Sequence, residues 1–163
     1  MRTPTLTPTD PVATRSPPSP CADAASRAFD FWLGEWLVHK PDGTLAGYNH
    51  VTSEYGGCVV HEHYTTDHGY SGESLNIYDA ARGVWHQSWV DNTGVLLTLE
   101  GGIRDGAMVL EGQTVATGGR VTRQRITWTP GQDGSVRQLW EVSDAQSQWT
   151  IVFDGKYTKR PSS

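Results

Sequence analysis

The sequence predicts an all-β domain: an antiparallel up-and-down meander closed into a barrel of about eight to ten strands, with a short helix or plug at its N-terminus. Turn signals recur along the chain at intervals that suit short strands, and no stretch between them carries the apolar period of a helix. The composition agrees, because 18 Gly, 7 Trp and 6 Tyr in 163 residues favour strands and turns. Closing a meander into a barrel removes its two unpaired edges.

Residues 1–27 are rich in Pro, Thr and Ser and nearly devoid of large apolar side chains. Such a stretch cannot offset its own ordering entropy, so it reads as a disordered leader, with a single domain over 28–160. Ala22 to Phe29 permits one or two helical turns. The densest aromatic stretch follows, Phe29-Asp30-Phe31-Trp32-Leu33-Gly34-Glu35-Trp36. It reads as a plug followed by the first strand, with Gly34 supplying the tight turn between them. Trp36 is expected to cap the barrel from inside, and Phe29 and Phe31 to seal it from beneath.

The later turns are Pro41-Asp42-Gly43, Gly56-Gly57, Asp67-His68-Gly69, Asp79 to Gly83, Asn92-Thr93-Gly94, Arg104-Asp105-Gly106, Gly118-Gly119, Pro130 to Gly134 and Ser143 to Ala145. They separate ten strands at 35–40, 44–55, 58–66, 70–78, 84–91, 94–101, 107–114, 119–129, 135–142 and 147–158. Alternation sets Trp85, Gln87 and Trp89 on one face of their strand, Trp149, Ile151 and Phe153 together on another, and Val136, Gln138 and Trp140 on a third. Polar groups among aromatics on an interior face fit a barrel that encloses a cavity, since a filled core excludes them.

The net charge of −5 argues against nucleic acid, which is held by clustered Lys and Arg. No apolar run is long enough for a membrane helix, and residues 1–20 lack the apolar core of a signal peptide, so no membrane partner and a cytoplasmic location are expected. Two cysteines, Cys21 in the leader and Cys58 in a strand, do not form the spaced framework of a secreted scaffold. They read as thiols in a reducing compartment, with Cys58 a buried structural cysteine.

Taken together, Phe29 to Trp36, Gly56-Gly57 with Glu62, Tyr78-Asp79, Trp85, Trp89-Val90-Asp91-Asn92, Gly101, Leu110-Glu111-Gly112 and Tyr157-Thr158-Lys159-Arg160 resemble an uncharacterised bacterial family of lipocalin-like (calycin) β-barrel proteins with an N-terminal Phe-Asp-Phe-x-x-Gly-x-Trp signature. The resemblance implies an up-and-down barrel with an internal cavity. It implies no catalytic mechanism, and it favours Glu62 as an inward acid. Nitrobindin-type haem barrels also start with a Gly-x-Trp element and ligate iron through a histidine near the C-terminal end of the barrel. No histidine follows His86 here, so no haem is expected.

Among groups that could carry chemistry, His61 and His63 fall on one face of a strand, where two imidazoles can reach one metal ion. A third ligand would have to come from His86, His50 or Glu62, and Glu62 points the other way. The alternative is that the two rings lie on the barrel's outside or line a cavity as hydrogen-bonding groups, and no metal cofactor is assigned. Glu62, Arg123, Arg125, Gln138 and Glu141 form a second set, in which a buried carboxylate could anchor a polar ligand group or act as a general acid. Tyr78, Trp85, Trp89, Trp128 and Trp140 are the expected apolar lining, with Gln87, Asn76 and Ser74 as fixed polar groups. The leading expectation is a small-molecule binding protein holding a largely apolar or aromatic ligand, oriented by Glu62, Asn76, Gln87, Arg125 or Gln138. The alternatives are a small cavity enzyme, such as an isomerase, cyclase or lyase with Glu62 as its catalytic candidate, and a metal-dependent site built on His61 and His63. A homodimer through an outer sheet face is compatible with each.

Overall fold

The computed structural model describes residues 16–144 and 148–161. It is a closed antiparallel barrel of ten strands, β1 (Gly34–His39), β2 (Leu45–Glu54), β3 (Val59–Thr65), β4 (Ser71–Asp79), β5 (Val84–Asp91), β6 (Leu96–Arg104), β7 (Ala107–Val115), β8 (Val121–Pro130), β9 (Val136–Ser143) and β10 (Thr150–Lys159). Each strand pairs with its neighbours in the chain, and β1 closes the ring on β10. The expected meander is therefore the observed one. Its turns form where the sequence supplies residues tolerant of positive φ, as at Gly94 (φ 85°). Among the described residues the helical turns are two three-residue 3-10 turns, Asp30–Trp32 and Tyr55–Gly57.

The barrel has one sealed end. Gly34, at φ 139°, turns the chain sharply from the Asp30–Trp32 turn into β1. This drives Phe29 and Trp32 into the barrel floor, where both are 0% exposed. Trp32 stacks on Phe29 at 4.9 Å and meets Trp128 at 5.3 Å, and Phe29 meets Trp85 edge-on at 5.6 Å. Trp32 joins Phe29 in the seal, and Phe31, half-buried, packs against Phe29 at 5.6 Å as expected. Trp36 is buried as expected, its indole Nε1 donating to the Trp32 carbonyl at 2.9 Å. Residues 22–29 form irregular turns in place of the expected helical turns. The Asp23 carboxylate accepts there from the Ser26 hydroxyl and amide, giving the backbone a local alternative to a helix.

The two cysteines are a disulfide, not the free thiols expected from the sequence. Cys58 lies just before β3 rather than in it, and it is bonded to Cys21 across a separation of 37 residues. Chain separation says little about distance in space, so the spacing of two isolated cysteines does not reveal this pairing. Of the expected leader, residues 1–15 lie outside the described residues, and residues 16–27 run across the sealed end. Besides the disulfide, the Ser19 hydroxyl donates to the Gly56 carbonyl and Arg27 Nη1 to the Gly57 carbonyl at 3.0 Å. Trp85 Nε1 donates to the Ala25 carbonyl at 3.1 Å. Among the described residues no helix is long and apolar enough to cross a membrane.

Candidate functional site

The opposite end of the barrel opens onto a cavity of about 220 Å³. Its apolar walls are Trp89, Leu97, Ile126, Trp128, Trp140 and Phe153, with Tyr64 and Tyr70 towards the mouth. Two of these rings lie over glycines of a neighbouring strand. A Cβ on Gly72 would stand 2.3 Å from Trp89, and one on Gly47 would stand 2.6 Å from the Tyr64 ring, so the bare backbone is what lets each ring lie back against the wall.

The remaining wall is a row of polar side chains interrupted at β1, whose buried residues Trp36 and Val38 are apolar, and bridged there by Asn49 Nδ2 at 3.5 Å from the Tyr157 hydroxyl. Inward positions of β9, β10, β2, β3, β4 and β5 carry Gln138, Tyr157, Asn49, Glu62, Ser74, Asn76 and Gln87. The Tyr157 hydroxyl donates to Gln138 Oε1, and Asn49 Nδ2 donates to Glu62 Oε1 at 2.8 Å. Ser74 Oγ donates to the other carboxylate oxygen at 2.6 Å. Asn76 Nδ2 donates to Ser74 Oγ at 2.9 Å, and Gln87 Nε2 to Asn76 Oδ1 at 2.8 Å. Register explains the row: Glu62 stands opposite Val51 and Ser74, and Asn76 opposite Gln87, so equivalent inward positions of adjacent strands form a belt.

Glu62 is the buried acid of this belt, 4% exposed, with no Lys or Arg side chain bordering its cavity among the described residues. Loss of water raises its pKa to about 7, against the opposing pull of the hydrogen bonds from Ser74 and Asn49. Burial also pushes the Tyr157 hydroxyl well above its ordinary value, with the Glu62 charge adding to the effect, so Tyr157 stays a donor throughout the neutral range. Glu62, Gln87, Gln138 and Tyr157 border the cavity, while Asn49, Ser74 and Asn76 hold Glu62 and Gln87 from behind.

The sequence-derived candidates divide by position. Glu62, Gln87, Trp89, Gln138 and Trp140 are brought together around the cavity, as is Trp128. Asn76 is fully buried in the belt behind it. Trp85 and Tyr78 belong to the sealed end, packed against each other at 6.1 Å. Arg125 stands outside: β8 turns Gln124, Ile126 and Trp128 inward, leaving Arg125 to pair with Glu141 at 3.1 Å and lie 4.0 Å over the Trp149 ring. Arg123 shares that outer face, 4.8 Å over the same ring. His61 and His63 are also on the outside, since β3 turns Val60, Glu62 and Tyr64 inward.

Tyr64, Thr66, Tyr70, Leu97, Ile126, Phe153 and Tyr157 complete the cavity and are not among the candidates. Phe153 was hidden by a bulge between Ile151 and Phe153, which puts Ile151 outside and Phe153 inside despite their matching parity. Tyr157 could have been found by its alternation with Phe153 across Gly155. The chain matches no family model, and no curated protein matches it. The closed ten-strand antiparallel barrel is consistent with a lipocalin-like fold, and its buried aromatic cluster is compatible with ligand binding.

Proposed function

We propose that the barrel binds a small, largely apolar or aromatic molecule, with an uncharged polar group turned towards Glu62, Gln138 and Tyr157. The observation that carries this reading is the one-sided cavity: a polar belt on one wall, rings and aliphatic side chains on the others. A binding site needs that combination, apolar area for affinity and a few fixed polar groups for orientation. At about 220 Å³ the space suits a molecule of one or two rings. No Lys or Arg borders it among the described residues, so a hydroxyl, carbonyl or amide is complemented and a carboxylate is not. The Cys21–Cys58 bond favours an oxidising compartment over the cytoplasmic location expected from the sequence.

Three lining tryptophans make the test direct. Titration with 2-naphthol is expected to quench tryptophan emission saturably, and 2-naphthoate, of similar size but anionic, is expected not to. Absence of saturable quenching by 2-naphthol, or equal quenching by both, overturns the reading. Chemical alteration of the recovered naphthol would replace binding with catalysis in the same cavity.

A further inference from the structure

On the outer face of β3, turned away from the cavity, three side chains of metal-ligating type converge. His61 and His63 sit two residues apart, a spacing that sets neighbouring backbone positions roughly 6.5 to 7 Å apart. Their rings nevertheless approach to 4.0 Å between centroids. The strand pairing sets Glu73 of β4 directly opposite His63. Glu73 Oε2 lies 3.2 Å from His61 Nε2 and 3.0 Å from His63 Nε2. The three donor atoms are all within 4.8 Å of one another. Two ligands of a tetrahedral zinc ion, each about 2.1 Å from the metal, stand about 3.4 Å apart, so both nitrogen–oxygen spacings are already close to those of a coordinated set.

A second carboxylate lies behind the His61 ring. His61 is the more enclosed of the pair, with 16% of its side chain exposed; its Nδ1 lies 3.1 Å from Glu54 Oε2 but makes no hydrogen bond among the described residues. Glu54 in turn accepts from Thr52 Oγ1 at 2.9 Å. A carboxylate on the far nitrogen of a metal-bound imidazole orients the ring and raises its basicity. Here Glu54 stands beside Nδ1 at ion-pair distance, close enough to take up that bond with a small reorientation, while Nε2 faces Glu73. His63 and Glu73 are about half exposed, 48% and 49%, which leaves room for water. As a plain surface cluster these ion pairs would contribute little to stability.

We propose that His61, His63 and Glu73 form a binding site for a divalent transition-metal ion, Zn²⁺ foremost, with a fourth position open to water. Two imidazole nitrogens and one carboxylate oxygen suit zinc, nickel or copper, whereas calcium and magnesium take oxygen ligands. The donors rise from adjacent strands of one sheet, so the ligand geometry is fixed by the barrel rather than by a loop.

The test uses the full chain, stripped with a chelator and titrated with zinc chloride by calorimetry. One zinc per chain is expected, with His63→Asn and Glu73→Gln each weakening affinity by more than about tenfold and Glu54→Gln, a positioning change, by roughly tenfold. His68→Ala, in the β3–β4 turn, is expected to bind as the parent does. The imidazole nitrogen NMR spectrum of the unmutated chain supplies a readout that needs no variant to fold: Nε2 of His61 and His63 should shift on zinc addition. Substoichiometric uptake, variants that bind as tightly as the parent, or shifts confined to other histidines overturn the site.

Discussion

At the end closed by Asp30–Trp32, the rings of Phe29, Trp32, Trp85 and Trp128 are at most 2% exposed and pack on one another, Trp128 also forming the floor of the cavity. At the other end Trp89, Trp140 and Phe153 are only partly buried, and they face a cavity rather than each other. Residue type is the same at both ends, and what differs is what the ring meets. The plug residues supply partners for the first set, whereas the polar belt of Glu62 and its neighbours holds the opposite wall away from the second. Aromatics without partners of their own are what a ligand can use.

Trp32→Ala is the most severe way to break this contrast. Removing a fully buried ring from the floor should cost about 3 to 5 kcal/mol in denaturant-induced unfolding. A loss below about 1 kcal/mol would show that the sealed end is not a packed plug. Replacing both cysteines by Ser should cost about 2 to 4 kcal/mol by freeing the segment that crosses that end. Quenching by 2-naphthol should survive it, and loss of quenching in a folded variant would mean that the two ends are coupled.

Glu62 gives a pH signature confined to the open end. Its folded pKa, about 7, lies above the roughly 4.3 of an unfolded glutamate, so between those values the folded state holds the extra proton. Stability must then fall as pH rises through that window, by on the order of 3 to 4 kcal/mol when ionisation is complete. Glu62→Gln imitates the protonated acid and should therefore stabilise the chain at pH 8 but not at pH 4. Equal effects at both pH values would show that Glu62 titrates normally. The mildest change is Trp140→Ala, expected to cost only about 1 kcal/mol because the ring is half-buried. It should weaken naphthol binding markedly, and undiminished quenching would remove Trp140 from the site.

The strands and the inward faces of β5 and β8 differ in how far sequence could reach them. Strand limits follow from turn chemistry, which is local: Gly43, Gly83, Gly94 and Gly106 each mark a turn and each adopt positive φ. Trp85, Gln87 and Trp89 follow from simple alternation. Arg125 could not be placed this way, because Arg123, Arg125 and Thr127 alternate equally well with either face outward, and only the burial of Gln124, Ile126 and Trp128 decides. Glu73 belongs beside His61 and His63 only through the β3–β4 register, and Cys21 meets Cys58 only through the way the plug folds back. Those are facts of assembly, invisible in spacing.

The ring closure between β1 and β10 sets apart one step of folding. Every other strand pairing joins segments consecutive in the chain, whereas Trp36 pairs with Lys159 and His39 with Lys156. Local hairpins form with little loop entropy to overcome, but this seam must bring together nearly the whole domain. Its fastenings are correspondingly specific: the Arg160 amide donates to the Glu35 carbonyl at 2.8 Å, and Lys159 Nζ sits 3.9 Å over the Trp36 ring while donating to the Leu33 carbonyl. The last residues of β10 thus complete the barrel by gripping the stretch that starts it, and the rate of that zipping governs how long the sheet exposes two open edges.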